Sequence, residues 1–504
     1  MLEAYGVDTI RRVEQAVIDQ VGDDTLMQRA ASGLAAAVAR AAVRLLGRVY
    51  GARVVILVGP GNNGGDALFA GARLARRGAA VTAVRCLGTP HARGLAALQT
   101  AGGRLIDIGD LDLVEDRRVR ANLRLEADVA VDGVLGIGGR PGLPDDVALL
   151  ARDLASFSVP TIAVDLPSGV GADSGAVPAD AFWATQTVTF GELKPCHLVE
   201  PARQRCGKVE VVDIGLGSIP PGTGDLWLRQ VEVEDLAMCW PYPDARSDKY
   251  SRGVVGIDTG SDTYPGAAIM TVHGAVHAGA GMVRFLGADR PAEVIGSQLP
   301  NVVFAPGQVQ SHLFGSGWGD RADGGEVLQR ALESELPTVV DADGLRYLPE
   351  RLPEHWLLTP HAGELARLLG EDRSWVTEDP VRAVRTGVAK TGATVLLKGA
   401  TQLVAGPQRD WVEIALPGPG WTGQAGSGDT LGGMCAALAA AGLPVADAAV
   451  LAASLQAYTA SRHPGPIPPV RLAELAAEEL GRLQQLNHEL DEENRWAPRP
   501  PGTA

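Results

Sequence analysis

The sequence predicts an α/β protein of two domains, each built on a mostly parallel sheet with alternating helices. Three observations predict this class. The chain has 504 residues, which is more than one ordinary hydrophobic core contains. Hydrophobic residues make up 46% of it but aromatic residues only 5%, so the core must consist largely of Ala, Val and Leu. Its 63 glycines suit tight loops between short buried strands.

The first half shows the alternation that a doubly wound sheet requires. It opens with an alanine-rich segment of helical spacing at 8–46, broken near Gly22. A buried strand at 53–58 and a helix at 66–77 come next. The later strands are predicted at 81–85, 128–131, 161–164, 187–190 and 209–212.

The second half repeats the alternation after a stretch without periodicity. Residues 215–224 contain Gly, Pro and Ser, which is typical of a linker between domains. We therefore place the domains at 1–215 and 229–486, with a linker at 216–228 and a tail at 487–504. The elements predicted for the second domain are strands at 254–257, 282–286, 338–340, 356–358 and 394–397, and helices at 267–278, 363–369, 430–441, 445–462 and 471–485.

Charge and hydropathy exclude several classes of partner. The net charge of −15 argues against nucleic acid, because no surplus of cations exists to displace counterions from phosphates. A phosphate-bearing small molecule remains possible, since backbone N–H groups and helix N-termini can bind one. No signal peptide and no uncharged 18-residue apolar run is visible, so we expect a cytoplasmic protein without membrane contact. We also expect a homo-oligomer, and a disordered, proline-rich end after Trp496.

Two residue types are used sparingly. The five cysteines are scattered, with no CxxC pair and no metal-ligand spacing, so we predict reduced structural thiols. Lysine occurs at only five positions, while arginine provides the other cations. A lysine retained in such a chain is a candidate for work that needs a compact ammonium group. Three of the five, Lys194, Lys249 and Lys398, lie in the motifs below.

A glycine-rich motif, GPGNNGGD at 59–66, lies where the first buried strand meets a helix. Consecutive glycines allow backbone N–H groups to turn toward a ligand, and the helix N-terminus adds its dipole, so a pyrophosphate is a suitable ligand. A plain loop is the alternative, since glycine-rich turns are common. The asparagines and the aspartate could in addition bind a cation or orient a ribose.

Three further motifs of the first half follow predicted strands. They are VDGVLGIGGR at 131–140, VDLPSG at 164–169 and TFGELKP at 189–195. The carboxyl ends of parallel strands line the ligand crevice of an open sheet, so the aspartates and the lysine of these motifs are predicted to meet there. Carboxylates in such a place are costly unless they bind a cation, form a pair or act as acid and base. Each aspartate taken alone could equally be an N-cap or a turn residue.

In order and spacing, these four motifs resemble the YjeF N-terminal family, the NAD(P)H-hydrate epimerases, over about residues 5–215. The resemblance implies a Rossmann-like domain. One departure is Ala67, where the family often has glycine; its methyl narrows the loop but leaves the donors in place. The residues implied to bind the hydrated nicotinamide dinucleotide are Asn62, Asn63, Gly64, Gly65, Asp66, Gly136, Ile137, Gly138, Gly139, Arg140, Pro141, Gly142 and Asp165.

The same resemblance implies a metal ion and a catalytic pair. A potassium ion (K+) would be coordinated by Asn63, Asp132 and Ser168. Asp165 and Lys194 would be the catalytic acid and base. Interconverting two configurations by reversible ring chemistry needs a proton shuttle on each side of the reacting centre, and a carboxylate with an ammonium group provides it.

The second half holds several weaker motifs. The most informative is a Gly-x-Gly-Asp turn entering a helix, because it joins an anion site to a carboxylate base, as phosphoryl transfer to an alcohol requires. Taken alone, such a turn could be a common helix cap, and His361 a structural histidine. The motifs are DKYSRG at 248–253, YPGAA at 264–268, VVDADG at 339–344, TPHAGE at 359–364, LKGAT at 397–401 and GSGDT at 426–430.

Together these motifs resemble the YjeF C-terminal family, the ADP- or ATP-dependent NAD(P)H-hydrate dehydratases of ribokinase-like fold, over about residues 246–463. The nucleotide would phosphorylate the ring hydroxyl with Asp429 as catalytic base and Mg²⁺ (Mg2+) screening the phosphates, and loss of phosphate would restore the dihydropyridine. The implied contacts are Ala268, Gly317, His361 and Asp429 for the hydrate, and Lys398, Gly399, Ala400, Thr401, Gln402 and Gly428 for the adenine nucleotide.

Two departures from the second family affect these contacts. The family's usual GPGLG is GSGWG at 315–319, and Gln424 and Ser427 stand where Asn and Thr are usual. The role of Gly317 and the tightness of nucleotide binding depend on them. We expect ADP rather than ATP as the donor, because the arginine-rich composition suggests a GC-rich bacterium and bacterial members resemble ADP users.

Two other functions remain open. The second half could be a ribokinase-type kinase for a vitamin alcohol, although a fused hydrate epimerase would serve no purpose there. The first half could be a non-catalytic nucleotide-binding or lipoprotein-partner domain, against which the presence of Asp165 and Lys194 argues. The sequence therefore predicts a bifunctional enzyme that epimerises the R and S forms of hydrated NADH or NADPH. It would dehydrate the S form with ADP or ATP and release AMP and phosphate.

Overall fold

The computed structural model describes residues 1–111, 127–217, 219 and 225–496. Two compact units divide the chain. The N-terminal unit is Glu3–Trp227, and the C-terminal unit is Leu228–Ala504 together with Met1–Leu2. Each unit alternates helices with the strands of a largely parallel sheet, which confirms the predicted α/β class.

The N-terminal unit begins with a short strand and two long helices, after which strands and helices largely alternate. Its elements in chain order are β1 (Leu2–Tyr5), α1 (Val7–Val21), α2 (Asp23–Leu46), β2 (Arg53–Val58), α3 (Asn62–Arg76), β3 (Ala80–Arg85), α4 (Ala92–Thr100), β4 (Arg104–Asp107), β5 (Val129–Gly133), α5 (Asp145–Ser156), β6 (Thr161–Val164), β7 (Gln186–Phe190), α6 (Ala202–Cys206) and β8 (Lys208–Val212).

A seven-stranded parallel sheet forms the centre of this unit, in the order β4-β3-β2-β5-β6-β7-β8. The chain runs outward from β2 to β4 and then crosses back to β5, so the strand order reverses between β2 and β5. There Val54 lies opposite Val129 and Val58 opposite Gly133. Ligands of open α/β sheets bind at such a reversal, beyond the carboxyl ends of the strands.

Both faces of the sheet are covered by helices. Val54, Ile56 and Val58 of β2 pack in one cluster with residues of α2, α3 and α4. Val55 and Leu57 pack in a second cluster with residues of α5. Because side chains alternate between the two faces of a strand, a strand covered on both sides has a continuous aliphatic sequence. That is why this strand can be predicted from its residues alone.

The C-terminal unit has a larger sheet and more helices. Its elements in chain order are β9 (Trp227–Gln230), α7 (Val233–Cys239), β10 (Val254–Asp258), α8 (Pro265–His277), β11 (Met282–Phe285), α9 (Asp289–Gln298), β12 (Ser311–Phe314), α10 (Gly324–Glu333), β13 (Thr338–Val340), β14 (Trp356–Leu358), α11 (Ala362–Leu369), α12 (Arg373–Glu378), α13 (Pro380–Thr391), β15 (Thr394–Leu397), β16 (Leu403–Ala405), β17 (Val412–Ile414), α14 (Ser427–Ala440), α15 (Val445–Arg462) and α16 (Pro469–Trp496).

Strands of this unit lie in the order β9-β17-β16-β15-β14-β13-β12-β10-β11, and only β16 is antiparallel to its neighbours among them. Helices α8 and α14 pack with unusually close backbones. A Cβ on Gly274 would lie 2.1 Å from the carbonyl oxygen of Thr430, and one on Gly433 would lie 2.0 Å from that of Thr271. Only glycine permits this approach. The contact holds the start of α14 against α8.

Some boundaries differ from the prediction. Helix α3 begins at Asn62 and not at residue 66, so both asparagines of the glycine-rich motif lie in its first turn. Helix α16 continues to Trp496, beyond the predicted helix at 471–485 and into the segment predicted as a tail. The Leu, Gln and Glu residues of this segment are good helix formers, which explains the continuation. The predicted disorder after Trp496 lies outside the described residues.

The predicted linker at 216–228 is not a free segment where it is described. Leu216 and Ile219 are buried in apolar clusters of the N-terminal unit, and β9 begins at Trp227. The Gly and Pro content of this stretch correctly indicates irregular backbone, but burial depends on partners that are distant in sequence. Short strands without a clear period, such as β12, β16 and β17, were also missed. No helix in the described part of the chain is long and apolar enough to cross a membrane.

Candidate functional site

A cavity of about 600 Å³ lies in the N-terminal unit, beyond the carboxyl ends of β2, β5 and β6. It is therefore at the point where the strand order reverses. A cavity of this size is in the range of small-molecule sites. Of the residues predicted to bind a dinucleotide, those that line it are Asn62, Asn63, Asp66, Gly136, Ile137, Gly138, Gly139 and Asp165. Those that do not line it are Gly64, Gly65, Arg140, Pro141 and Gly142.

Sequence analysis missed the part of the wall that comes from α1 and α2. The α1 residues have spacings of three and four, so they share one helix face, and this spacing is visible in the sequence. Nothing in the sequence shows that the face meets a cavity. The residues concerned are Arg11, Glu14, Gln15 and Ile18 on α1, and Asp23, Leu26, Met27 and Ala30 on α2.

Close approach of two loops requires glycine at the start of α3. A Cβ on Gly59 would lie 1.9 Å from the carbonyl oxygen of Val134, and one on Gly64 would lie 2.4 Å from that of Gly59. The N-cap of α3 is Gly61, and no side chain caps the helix. Its first backbone N–H groups are therefore left for a ligand, as the predicted anion site requires.

The predicted catalytic pair is formed at the carboxyl ends of β6 and β7. Nζ of Lys194 lies 2.7 Å from Oδ1 of Asp165, and it also donates to Oγ1 of Thr189 at 2.8 Å and to the carbonyl oxygen of Phe190 at 3.1 Å. The Lys194 side chain is 1% exposed and that of Asp165 is 9% exposed. Only Asp165 lines the cavity, so it is the member of the pair that a ligand meets.

Asp165 has an uncommon backbone conformation. Its φ is +67°, in the left-handed region that residues other than glycine seldom adopt. The carbonyl oxygen of Asp165 lies 2.9 Å from Nε2 of His197, and the backbone N–H of Asp165 donates to the carbonyl oxygen of Val188 at 2.7 Å. Burial by itself would raise the pKa of Asp165, but the charge of Lys194 lowers it below the usual range. The carboxyl group is therefore ionised at neutral pH and can act as a base.

The three predicted potassium ligands lie together beside β5. Ser168 donates to Asp132 through its backbone N–H at 2.7 Å and through its hydroxyl at 2.6 Å. Nδ2 of Asn63 donates to the carbonyl oxygen of Leu135 at 3.0 Å, and the N–H of Leu135 donates to Oγ of Ser168 at 2.8 Å. Asp132 is fully buried, and burial raises its pKa to about 6. A buried carboxylate surrounded by other oxygen atoms fits a cation, which would compensate its charge.

A second lysine–aspartate pair lies in the C-terminal unit, at the ends of β13 and β15. Nζ of Lys398 lies 2.6 Å from Oδ1 of Asp341. The hydroxyls of Thr359 and Ser316 donate to the two carboxylate oxygens at 2.8 and 3.0 Å. Burial by itself would lower the pKa of Lys398, but the charges of Asp341 and Glu364 raise it. Asp341 was predicted only as part of the motif at 339–344 and not as a site residue. Its position at the end of a strand is the sequence signal that could have identified it.

Asp429 lies in the first turn of α14, close to this pair. Burial, followed by the charge of Asp341, raises the pKa of Asp429 to about 6. A Cβ on Gly428 would lie 3.0 Å from Nζ of Lys398, so the ammonium group contacts this turn. No side chain caps α14, and the buried Oγ of Ser427 has no hydrogen-bond partner among the described residues. The turn therefore joins a carboxyl group, an ammonium group and an open helix N-terminus.

The other predicted hydrate contacts differ in exposure. His361 is the N-cap of α11, its Nδ1 accepts from the N–H of Glu364 at 3.2 Å, and its backbone bridges to Lys398. The His361 side chain is 57% exposed, whereas Ala268 is fully buried in the core. Gly317 has a φ of +67°, which requires glycine there. The roles of these three residues stay predictions.

Three residues that depart from the family pattern, Ser316, Trp318 and Gln424, form hydrogen bonds within the protein. Ser316 contacts the carboxylate of Asp341, and Nε1 of Trp318 donates to the carbonyl oxygen of Asp258 at 2.9 Å. The amide of Gln424 donates to the backbone of Ile467. The remaining predicted nucleotide contacts form the turn between β15 and β16; they are Gly399, Ala400, Thr401 and Gln402.

Each unit thus places a carboxyl group beside an open helix N-terminus at the carboxyl edge of a parallel sheet. That geometry defines the class of α/β enzymes that bind phosphate-bearing substrates. Two family descriptions match the chain. "YjeF-related protein N-terminus" matches residues 23–196, and "NAD(P)H-hydrate dehydratase" matches residues 255–476.

Full-length relatives agree with both matches. The bifunctional NAD(P)H-hydrate repair enzyme of Mycobacterium tuberculosis is 41% identical over 467 residues, which cover 89% of this chain and 91% of that protein. The enzyme of the same name from Salinibacter ruber is 32% identical, with 87% of this chain and 88% of that protein covered. The chain therefore belongs to the family of bifunctional NAD(P)H-hydrate repair enzymes. The predicted family and α/β class are confirmed, and the strand order of the N-terminal sheet is that of a Rossmann-like domain.

A search of solved structures also finds similarity to a protein of known structure. It is the ADP/ATP-dependent NAD(P)H-hydrate dehydratase from Bacillus subtilis, co-crystallized with ATP and Mg²⁺. The similarity covers 51% of this chain and 98% of that chain, with 23% sequence identity and a TM-score of 0.47.

Proposed function

We propose that the chain repairs hydrated NADH and NADPH with one active site in each unit. The N-terminal unit interconverts the R and S hydrates. The C-terminal unit dehydrates the S form with ADP or ATP and, with ADP, releases AMP and phosphate. The observation that carries the proposal is the lysine–aspartate pair beside an open helix N-terminus in each unit, since two such sites suit a dinucleotide and a phosphate donor.

In the N-terminal unit, the dinucleotide would bind along residues 62–66 and 136–142, with Asp165 at the reacting ring. The hydrated carbon carries a hydroxyl group next to the ring nitrogen. Removal of the hydroxyl proton by Asp165 opens the ring, and closure on the other face inverts the configuration. Asn63, Asp132 and Ser168 would hold potassium, whose charge would stabilise the loops around the buried carboxylate.

In the C-terminal unit, Asp429 would take the proton of the ring hydroxyl while the hydroxyl oxygen attacks the terminal phosphorus of the nucleotide. Lys398 and the N-terminus of α14 would neutralise the phosphate charge. Expulsion of phosphate from the hydrated carbon, with loss of a proton from the adjacent carbon, restores the dihydropyridine.

Mg²⁺ would supply additional charge neutralisation when the nucleotide is bound. Within the described ranges, no group of three or more His, Cys, Asp or Glu side chains could hold a metal ion. The ion would therefore be held mainly through the phosphates, as is common for Mg²⁺ in nucleotide sites.

A mixture of R and S hydrates of NADH with ADP tests both sites at once. We expect complete recovery of NADH absorbance, with AMP and phosphate as co-products. Conversion that stops when the S form is consumed would contradict the epimerase assignment. A stable phosphorylated product would instead indicate a kinase. Repeating the reaction with ATP decides the donor, and a mass measurement in solution tests the predicted homo-oligomer.

A further inference from the structure

The enclosure of Lys194 leaves the epimerase site without an obvious proton donor. An ammonium group has three N–H bonds, and those of Lys194 have three acceptors within the protein, on Asp165, Thr189 and Phe190. The side chain is 1% exposed and does not line the cavity. Lys194 therefore holds Asp165 in place and in its charged state, but it has no free N–H bond directed to a substrate.

Asp66 differs from Lys194 in that it lines the cavity and has few partners within the protein. It lines the cavity from α3 and is 8% exposed. Its Oδ1 is buried and has no hydrogen-bond partner in the part of the chain that the structure describes. A buried carboxylate oxygen without a partner is costly when the group is charged, so this placement favours the protonated form. Burial, followed by the charges of Asp165 and Glu14, raises the pKa of Asp66 well above its usual value.

We propose that Asp66 is the catalytic acid of the epimerase site and works opposite Asp165. The proposal deepens the epimerase function proposed above and depends on it. The buried lysine against Asp165 favours the ionised form of that carboxyl group, whereas the buried Oδ1 of Asp66 has no hydrogen-bond partner among the described residues, which favours the protonated form of Asp66. Two carboxyl groups in one cavity, in opposite protonation states, are the arrangement that acid–base catalysis requires.

The proton transfers balance over one turnover. Asp165 removes the hydroxyl proton, the carbon–oxygen bond becomes a carbonyl, and the bond between that carbon and the ring nitrogen breaks. The electron pair stays on the nitrogen, which takes the proton of Asp66. After rotation of the aldehyde, the nitrogen attacks its other face, returns its proton to Asp66, and the oxygen regains a proton from Asp165. Both carboxyl groups end in their starting states, with no further reactant.

The surroundings of Asp66 set the pH range in which it can act. Negative neighbours favour its protonated form, so activity is lost as the pH rises through the pKa of Asp66. Removing a negative neighbour would move that loss to lower pH. The charged or titratable groups around Asp66 are Arg11 and Glu14 on α1, Asp23 on α2, His91 before α4 and Asp165 after β6.

The first test is Asp66→Asn in the full chain, which removes the proton but keeps the size of the side chain. The assay follows the approach of pure S hydrate of NADH to the R and S mixture, without nucleotide, by chromatography. We expect a loss of about 10²–10⁴-fold in rate, with hydrate binding retained. Asp146→Asn, which removes an exposed carboxylate of α5 outside the cavity, is the matched control and is expected to keep the wild-type rate.

Calorimetric unfolding of the same variant reports whether the N-terminal unit is intact, and the dehydratase rate, measured with S hydrate and ADP, reports the same for the C-terminal unit. An Asp66→Asn variant that epimerises as fast as Asp146→Asn contradicts the proposal. A wild-type chain that does not epimerise at all contradicts the epimerase function itself, so the two failures are distinguishable.

The second test uses Glu14→Gln and does not depend on the folding of Asp66→Asn. Glu14 is a negative neighbour that raises the pKa of Asp66. With glutamine there, the alkaline loss of kcat/KM for epimerisation moves to lower pH, while the pH profile of the dehydratase is unchanged. An alkaline limb that stays in place overturns the role of Asp66.

Discussion

The two lysine–aspartate pairs have the same atoms and similar distances, but the opposite member is enclosed in each. In the N-terminal unit, Lys194 is 1% exposed and Asp165 is 9% exposed. In the C-terminal unit, Asp341 is 2% exposed and Lys398 is 17% exposed. The N-terminal pair thus exposes its carboxylate more than its lysine, and the C-terminal pair exposes its ammonium group more than its aspartate.

The hydrogen bonds explain this reversal. Lys194 has its three donors satisfied by protein acceptors, whereas Asp341 accepts from Lys398 and from two hydroxyl groups. In each pair, the partner with more hydrogen bonds to the protein orients the other. A carboxylate suits the removal of a hydroxyl proton, and an ammonium group suits a phosphate. A lysine–aspartate pair is therefore compatible with either reaction. Which of its two members is enclosed by the protein decides which group remains for the substrate.

The largest expected effect comes from changing the aspartate of each pair. Asp165→Asn removes a base that faces the substrate, so kcat for epimerisation should fall by about 10²–10⁴-fold. Asp341→Asn removes only the anchor of Lys398, so the KM for the nucleotide should rise about 10- to 100-fold, the equivalent of one charge-assisted hydrogen bond. Steady-state kinetics of both reactions measure the two effects. Equal losses of kcat in both variants would remove the distinction between the pairs.

The next effect concerns the stability of the two units. Lys194→Met leaves the carboxylate of Asp165 buried without a cation, which should cost about 3–5 kcal/mol. Lys398→Met should cost less, because Lys398 is partly exposed and Asp341 keeps its two hydroxyl donors. Calorimetric unfolding of both variants against the wild type measures this. A larger loss from Lys398→Met would contradict the assignment of the enclosed members.

The two bases should also differ in pH dependence. Asp429 must be ionised to accept a proton and its pKa is raised to about 6, so the dehydratase rate should fall as the pH drops below that value. The pKa of Asp165 is lowered, so it remains ionised in the same range. Rates of both reactions at a series of pH values from neutral downward provide the comparison. We expect the epimerase to retain its ionised base where the dehydratase loses activity.

The smallest expected effect is that of potassium. The proposed ligands Asn63, Asp132 and Ser168 are confined to the N-terminal unit, where the ion would support the loops around the cavity. Replacing potassium by a bulky organic cation should therefore reduce epimerisation a few-fold and leave dehydration unchanged. Ser168→Ala should weaken the dependence on potassium. A response of the dehydratase alone would place the ion elsewhere.

Many strands, turns and candidate site residues of this protein are predictable because they depend on residues that are close together in the sequence. The aliphatic run of β2 indicates a strand covered on both faces, and the glycine-rich run at 59–66 indicates backbone N–H groups that turn toward a ligand. Asp132, Asp165 and Asp429 are recognisable as candidates because they follow strands or begin a helix. The family resemblance rests on these same positions. The local predictions and the family resemblance are both independent of how distant segments pack.

Tertiary structure decided which of these groups reach a ligand and in which state of charge. Glu14 joins the cavity because α1 packs over it, and the buried Oδ1 of Asp66 has no hydrogen-bond partner in the part of the chain that the structure describes. Lys194 and Lys398 are alike in sequence context, each following a strand, yet one is enclosed and the other is open. Burial and pKa depend on residues far apart in the chain, and the sequence alone does not show which of them meet.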